Sequence, residues 1–130
     1  MAFLRRIVSP LSRKNFLTGT YGSDIYYPGG SIYGDTIYDP GGDDYYMLSG
    51  YSFITDAGGT DTAVMAGYEL DDLLFMVFFD TTVVIAALDS SIGVWFEGMV
   101  GNSSMGVDYL VLDDVTLNRA EILTLASEFG

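Results

Sequence analysis

The sequence contains neither histidine nor cysteine. Without cysteine, the chain has no disulfides, no thiolate metal ligands and no cysteine nucleophile. Without histidine, it lacks the commonest general base, the commonest zinc ligand and any Ser-His-Asp triad. We therefore expect that the protein is not an enzyme.

Basic residues are scarce, with five against 18 aspartates and glutamates, and the formal net charge is −13. Four of the five are Arg5, Arg6, Arg13 and Lys14, so from residue 15 onward Arg119 alone opposes all the acidic residues. Such a surface repels phosphate backbones, and we expect no nucleic-acid partner. Folding concentrates this charge, and bound divalent cations would relieve the repulsion.

Long apolar runs are also missing. Asp80 divides the longest one, so we expect no transmembrane segment. The apolar residues after Arg5 and Arg6 are too interrupted for a secretory signal peptide, and no small-residue cleavage site follows them. Even so, 49% of the residues are hydrophobic and 15% are aromatic. This composition predicts one folded domain with a core rather than a disordered acidic tail.

Glycine, aspartate and tyrosine are concentrated between residues 36 and 69, where one pattern occurs twice. TIYDPGGDDYYMLSGYS is followed directly by FITDAGGTDTAVMAGYE, and a shift of 17 aligns Asp39 with Asp56 and Asp44 with Asp61. A looser upstream copy, DIYYPGGSIYGD, aligns after a shift of 12 that places Ile25 on Ile37. Internal repeats of this kind indicate a repeated structural unit.

The repeated residues have the chemistry of an oxygen-only metal site. Paired glycines permit a tight loop that leaves main-chain carbonyls uncovered, and the flanking aspartates add carboxylates. Such a site suits calcium, which takes about 6 to 8 oxygen ligands in irregular geometry. The predicted carboxylate ligands are Asp24, Asp35, Asp39, Asp44, Asp56 and Asp61, and the predicted carbonyl ligands are Gly30, Gly41 and Gly58. The alternative is that these residues form ordinary turns between hairpins and bind no metal.

Apolar residues beside each loop, such as Ile37, Tyr46 and Ile54, alternate as in short strands with one face inward. Loops and strands therefore alternate as in a flattened parallel coil of about 17 residues a turn. After residue 70 glycine becomes rarer, and the apolar runs predict strands at 75–79, 83–88, 92–96 and 109–112. A helix of about Arg119 to Ser127 follows, capped by 116–118 with Glu121 near its start.

The repeats resemble the glycine-rich calcium-binding nonapeptide G-G-x-G-x-D-x-U-x of RTX (haemolysin-type) proteins, most closely the serralysin-like β-roll, in which two nonapeptides make a turn of about 18 residues. No copy here reads G-G-x-G-x-D. Residues 70–128 resemble the haemolysin-type calcium-binding-related module that follows RTX repeats. The matching segments are 70–75 (LDDLLF), 80–85, 94–96 (VWF), 109–113 and 116–123 (TLNRAEIL).

The resemblance implies an all-β fold, namely a short calcium-binding parallel β-roll with a C-terminal β-strand cap and a short terminal helix. It divides the chain into a basic N-terminal arm at 1–18, β-roll repeats at 19–69 and a capping module at 70–130. It also implies export to the extracellular space or cell surface by a type I secretion machine, which reads an uncleaved C-terminal signal.

The N-terminal arm has two possible conformations, an amphipathic helix or, because of Pro10, an extended segment. It is either a flexible leader or a docking segment whose Arg5, Arg6, Arg13 and Lys14 bind an acidic neighbouring copy or another anionic surface. One hypothesis for the whole chain is a secreted calcium-binding structural or adhesive protein that folds on binding calcium. It would self-assemble through the roll ends and the arm into a polymer, filament or surface layer. The alternative is a virion or appendage decoration protein with the same fold, docked through the arm. An enzyme accessory is the weakest hypothesis.

Overall fold

The computed structural model describes residues 5–8, 16–28 and 34–129, with side chains at 16–28 and 34–128. Within these ranges the chain forms twelve strands, a 3-10 turn at Leu70–Asp72 and one α-helix. The strands are β1 (Arg5–Val8), β2 (Phe16–Thr18), β3 (Asp24–Tyr27), β4 (Asp35–Asp39), β5 (Tyr45–Met47), β6 (Gly50–Asp56), β7 (Thr62–Val64), β8 (Leu73–Phe78), β9 (Thr82–Ala87), β10 (Ile92–Phe96), β11 (Tyr109–Val111) and β12 (Thr116–Asn118), and the helix is α1 (Arg119–Phe129). The predicted class, mostly β with one short C-terminal helix, is confirmed.

The strands form two six-stranded sheets, and β1 to β7 alternate between them. The first sheet has the order β1-β3-β5-β7-β11-β12, and the second has the order β2-β4-β6-β10-β9-β8. Pairing is parallel from β1 to β7 and on to β10 and β11. It is antiparallel among β8, β9 and β10 and between β11 and β12. Both sheets are therefore mixed. The parallel coil was predicted only for residues 19–69, where the strand pairing is parallel, and all the antiparallel pairing lies after residue 70.

The 17-residue sequence repeat is also a structural repeat. Asp39 on β4 pairs in register with Asp56 on β6, and Tyr45 pairs with Thr62. The upstream copy follows a different spacing, because Ile25 pairs with Tyr45, a shift of 20, and lies in the other sheet from Ile37. The shift of 12 is wrong. It aligns Ile25, which lies on the outer face of its strand, with Ile37, which lies on the inner face, whereas equivalent residues of stacked strands share a face.

The core lies between the two sheets and comes from alternate residues of their strands. Fully buried side chains of the first sheet include Tyr26, Tyr46 and Leu110. Ile37 and Ile54 face them from the second sheet and are equally buried. Burying a large apolar side chain contributes about 1.5 to 3 kcal/mol. This core holds the two sheets together and fixes which loops meet at their ends.

The predicted C-terminal strands are present with ends shifted by a few residues, and β12 is an addition where only a helix cap was expected. The predicted start of α1 is confirmed: the Asn118 side chain accepts the Glu121 N–H, and the Glu121 carboxylate accepts the Asn118 N–H. This reciprocal pair is a capping box. The helix contacts β8 and β12, the outer strands on one side of the two sheets, and buries Ile122 and Ala126. Within the described residues, no helix combines the length and the apolar character needed to cross a bilayer.

The first strand of each sheet comes from the segment before residue 19. Arg5–Val8 is extended and pairs in parallel with β3, and Phe16–Thr18 pairs with β4. The side chains of Arg5 and Arg6 lie outside the described residues, as do Arg13, Lys14 and Gly30. The docking role of the basic residues therefore stays a prediction.

Candidate metal centre

The repeated aspartates meet at one end of the two sheets. Asp39 and Asp56 are the last residues of β4 and β6, Asp24 is the first residue of β3, and Asp44 and Asp61 directly precede β5 and β7. Strands paired in parallel stack equivalent residues about 4.8 Å apart. The loops that join the second sheet to the first therefore lie on top of one another and bring these side chains together.

The aspartates form two groups. The first cluster consists of Asp24, Asp39 and Asp44, and the second consists of Asp44, Asp56 and Asp61. Within each cluster, one carboxylate oxygen per residue lies within 4.8 Å of the others, and Asp44 belongs to both. All five side chains are buried, with at most 1% of their surface exposed. The two clusters are one repeat apart.

Hydrogen bonds order one side of the clusters into an aspartate ladder, which we define as Asp24, Asp44, Asp61 and Asp108. The Asp24 N–H donates to Asp44 Oδ1 over 2.8 Å, and the Asp44 N–H donates to Asp61 Oδ1 over 2.8 Å. The Asp61 N–H donates to Asp108 Oδ2 over 2.9 Å. The remaining oxygens of the two middle residues, Asp44 Oδ2 and Asp61 Oδ2, are buried and receive no hydrogen bond from the described residues. The carboxyl groups of Asp44 and Asp61 lie beside those of Asp39 and Asp56, respectively, so a shared proton or a bound cation can join each pair.

On the opposite side of the first cluster, Asp39 is held by two donors. The Tyr26 hydroxyl donates to Asp39 Oδ2 over 2.7 Å, and the Gly41 N–H donates to Asp39 Oδ1 over 2.8 Å. The second cluster repeats the arrangement, with Asp56 accepting from the Tyr46 hydroxyl and from the Gly58 N–H. The phenols and glycine amides fix the direction of these carboxylates.

Burial makes both clusters costly to ionise. Burial, followed by the neighbouring carboxyl group of Asp39, raises the pKa of Asp44 to about 8. Burial, followed by the carboxyl group of Asp56, raises the pKa of Asp61 to about 10. Burial likewise raises the pKa of Asp56 to about 6 and raises the pKa of Asp39. Crowded buried carboxyls ionise together only when a cation joins them.

The phenols remain donors throughout this titration. Burial, and to a smaller extent the neighbouring aspartates, raises the pKa of Tyr26 and of Tyr46 far above the usual value of a tyrosine. The two hydroxyl groups therefore keep their protons and keep donating to Asp39 and Asp56.

The backbone near the first cluster is fitted to the carboxylates. A Cβ on Gly19 would lie 1.8 Å from the Tyr26 hydroxyl oxygen and 2.5 Å from Asp39 Oδ2, so only glycine fits. The stacked loops also touch backbone to backbone. Gly59 has a φ of 87°, and a Cβ there would lie 1.8 Å from the Gly42 carbonyl oxygen. The paired glycines thus let successive loops approach closely enough for their aspartates to share a site.

The predicted ligands divide into those that meet in the clusters and those that do not. Asp24, Asp39, Asp44, Asp56 and Asp61 meet in the clusters. Asp35 is buried on the same face of β4 as Asp39 but four residues earlier, which places it about 13 Å away at the other end of the sheet. Gly41 and Gly58 adjoin the clusters through their N–H groups, and their role as carbonyl ligands stays a prediction.

Sequence reasoning missed five residues at this site. Thr20 donates its N–H to Asp24 Oδ2 over 2.7 Å and its hydroxyl to the same carboxylate. Gly19 and Asp108 were missed as well, and Tyr26 and Tyr46 were treated only as packing residues. The spacing of 47 residues between Asp61 and Asp108 gives no local signal. Tyr26 is equivalent to Tyr46 only when the upstream copy is shifted by 20 residues, and the alignment with a shift of 12 hid this equivalence.

No known family model matches this chain, and no curated protein matches it. The resemblance to RTX proteins stays a prediction. The geometry nevertheless establishes that the buried aspartate clusters can hold a metal ion. Three carboxylates converge in each, and each contains an oriented oxygen without a donor.

Proposed function

We propose that the protein is a secreted calcium-binding structural protein whose fold is completed by calcium at the first and second clusters. The observation that carries this proposal is the pair of buried, unpartnered oxygens, Asp44 Oδ2 and Asp61 Oδ2. A buried polar atom without a partner costs about 1 to 3 kcal/mol, and a charged one costs more. A bound cation removes this cost at both positions.

The donor set favours calcium over other ions. The described ligands are carboxylates, and nearby main-chain carbonyls and water can complete a shell of about 6 to 8 oxygens. Magnesium is disfavoured because it requires a near-ideal octahedron and retains its water. Zinc and copper favour histidine or cysteine, and the chain has neither.

Calcium binding at these clusters would also drive folding. The strands that carry the clusters bring buried carboxylates within 4.8 Å of one another, and the chain beyond residue 15 has only Arg119 to offset its acidic residues. Binding free energy then becomes folding free energy. Extracellular calcium modules bind with a Kd of about 10⁻⁴ to 10⁻³ M, so a fold of this type would form outside the cell.

We further propose that the strands from β1 to β7 are a short β-roll and that the C-terminal strands and α1 are its cap. The alternation of consecutive strands between two sheets and the parallel register of 17 residues support this assignment. The antiparallel strands β8, β9 and β12 lie at the other side of the sheets, where α1 contacts β8 and β12.

We also propose that the protein self-associates through the side of the two sheets that β1 and β2 form. Among the described strands, β1 and β2 are outermost and each has one neighbour. Outer strands offer unpaired backbone groups to another chain. This side also contains Arg5 and Arg6, while the rest of the chain is acidic, so the charges of two copies are complementary. Half-exposed Tyr45 and Tyr109 flank Thr62 on the outer face of the first sheet and add adhesive surface.

The test is a calcium titration of chelator-treated protein, followed by far-ultraviolet circular dichroism and light scattering together, with magnesium as the control. We expect the β signal to rise with calcium and not with magnesium, and scattering to rise with it. A rise in the β signal without a rise in scattering would contradict self-association but not the metal site. A chelated protein that is already fully folded, with no further change on adding calcium, would contradict the proposal.

A further inference from the structure

Each hydrogen bond of the aspartate ladder links one aspartate to the next, and we call each link a step. Asp24–Asp44 is the first step, Asp44–Asp61 is the second, and Asp61–Asp108 is the third, which lies beyond the second cluster. Its backbone geometry repeats that of the first two. In each step an aspartate N–H donates to a carboxylate oxygen of the next aspartate, at 2.8, 2.8 and 2.9 Å. The third step therefore presents its second oxygen, Asp108 Oδ1, as Asp44 and Asp61 present Oδ2.

The partner of this second oxygen differs between the steps. Asp44 Oδ2 and Asp61 Oδ2 receive no hydrogen bond, whereas Asp108 Oδ1 faces the Arg119 guanidinium, with Nε 3.4 Å away. The same guanidinium donates to the main-chain carbonyl of Met105 over 2.6 Å and to that of Met99 over 3.4 Å. Arg119 thus contacts a carboxylate oxygen and two carbonyl oxygens, which is the donor set expected around calcium.

The third step also lacks the cross-sheet carboxylate. The Asp39 carbonyl accepts the N–H of Ala57, the residue after Asp56. One step further, the Asp56 carbonyl accepts the N–H of Gly106, and the residue before Gly106 is Met105. Neither Met105 nor Gly98, which lies two residues after the Ile54–Phe96 pair, carries the carboxylate that Asp39 and Asp56 supply to the first two clusters. A rigid guanidinium with several donors suits this reduced set of negative charge.

We propose that Arg119 is the built-in cation of the third step and takes the position that calcium takes in the first and second clusters. This inference rests on the proposed function. It assigns a role to the one basic residue that follows Lys14. It also implies that the third step forms without metal, so that calcium binding stops at two clusters.

The test measures amide hydrogen exchange by NMR at three equivalent positions, Asp24, Asp44 and Asp61, in chelator and in saturating calcium. Because calcium also drives folding, all three amides should gain some protection from it, and we expect calcium to slow exchange at Asp24 and Asp44 by at least about tenfold more than at Asp61. An equal calcium response at all three amides would overturn the role of Arg119 and leave the calcium sites intact. No response at any amide would contradict the calcium sites themselves.

The variant Arg119→Gln sharpens the test, because it removes the charge and keeps a side chain of similar length. We expect the Asp61 amide of this variant to lose protection in chelator by about tenfold and to regain part of it in calcium. Arg119→Lys, which keeps the charge, should lose less. Unchanged Asp61 protection in Arg119→Gln would overturn the inference. If that variant does not fold, the wild-type comparison decides alone.

Discussion

The rings of Tyr26 and Tyr46 are stacked, with centroids 4.9 Å apart and planes 8° from parallel. This distance equals the spacing between neighbouring strands, so the phenols repeat with the backbone. Each hydroxyl donates to an aspartate of a different cluster, Tyr26 to Asp39 and Tyr46 to Asp56. The stack therefore connects the core between the sheets to both metal clusters.

Replacing either stacked tyrosine by phenylalanine should destabilise the protein. Tyr26→Phe leaves Asp39 without its phenol donor, and Tyr46→Phe does the same to Asp56. We expect the free energy of unfolding in saturating calcium to fall by about 1 to 3 kcal/mol in each variant, as measured by urea denaturation. Tyr38→Phe is the matched control, because Tyr38 is half-exposed, and it should change stability by less than about 0.5 kcal/mol. Equal effects in all three variants would refute the role of the phenol donors.

The shared carboxylate of Asp44 predicts an asymmetry among aspartate variants. Asp44→Asn should weaken calcium binding at both clusters, and Asp24→Asn should weaken only the first. We expect a loss of affinity of about tenfold or more at each affected site, measured by isothermal titration calorimetry. The control is Asp43→Asn, since Asp43 instead accepts the Thr60 N–H and asparagine keeps that acceptor. Loss of only one site in Asp44→Asn would contradict the shared arrangement.

The close fit of Gly19 predicts a selective block of the first cluster. In Gly19→Ala the new methyl group would collide with the Tyr26 hydroxyl and Asp39. We expect this variant to lose about tenfold or more of the affinity at the first cluster while the second cluster binds normally. Gly41→Ala is the matched control, because its nearest described atom would lie 3.5 Å away and its carbonyl is retained. Calorimetry that finds both variants alike would exclude a close approach at Gly19.

The raised pKa values predict opposite pH dependences with and without calcium. Burial raises the pKa of Asp56, Asp44 and Asp61 to about 6, 8 and 10, above the unfolded value of about 3.9. The protonated groups therefore favour the metal-free fold below about pH 4, and this stability is lost as the pH rises through the folded pKa values. In chelator, the melting temperature should fall between pH 5.5 and pH 8.5, a window of roughly three units.

Saturating calcium should reverse this trend, because calcium binds the ionised carboxylates and competes with protons. Asp61→Asn should reduce the slope in chelator, since it removes the carboxyl with the highest pKa, whereas Asp43→Asn should leave it unchanged. A melting temperature in chelator that rises with pH over the same range would mean that these carboxyls are not strained in the metal-free fold.

The sequence was sufficient to predict the repeated half of the site. The shift that aligns Asp39 with Asp56 and Asp44 with Asp61 is also the register of the strands that carry them. Local repetition implies parallel stacking, and stacking brings equivalent carboxylates together. The mostly β class and the capped start of α1 followed from alternation and from the Asn118–Glu121 spacing.

The remaining features depended on non-local structure. Asp35 is an aspartate on the same face of β4 as Asp39, but the two lie at opposite ends of the strand, about 13 Å apart. The ladder partner of Asp61 is Asp108, which follows three strands of the second sheet. Arg119 reaches Asp108 only because α1 begins beside β12. The antiparallel strands that make both sheets mixed have no signature in the repeat.

The most direct measurement is a crystal structure of the protein grown in calcium, with an anomalous difference map collected at long wavelength. We expect two calcium peaks per chain, one bound by Asp24, Asp39 and Asp44 and the other by Asp44, Asp56 and Asp61. At Asp108 we expect the Arg119 guanidinium and no ion. Ordered loops without anomalous density at the clustered aspartates, or calcium bound only elsewhere on the chain, would contradict the two calcium sites.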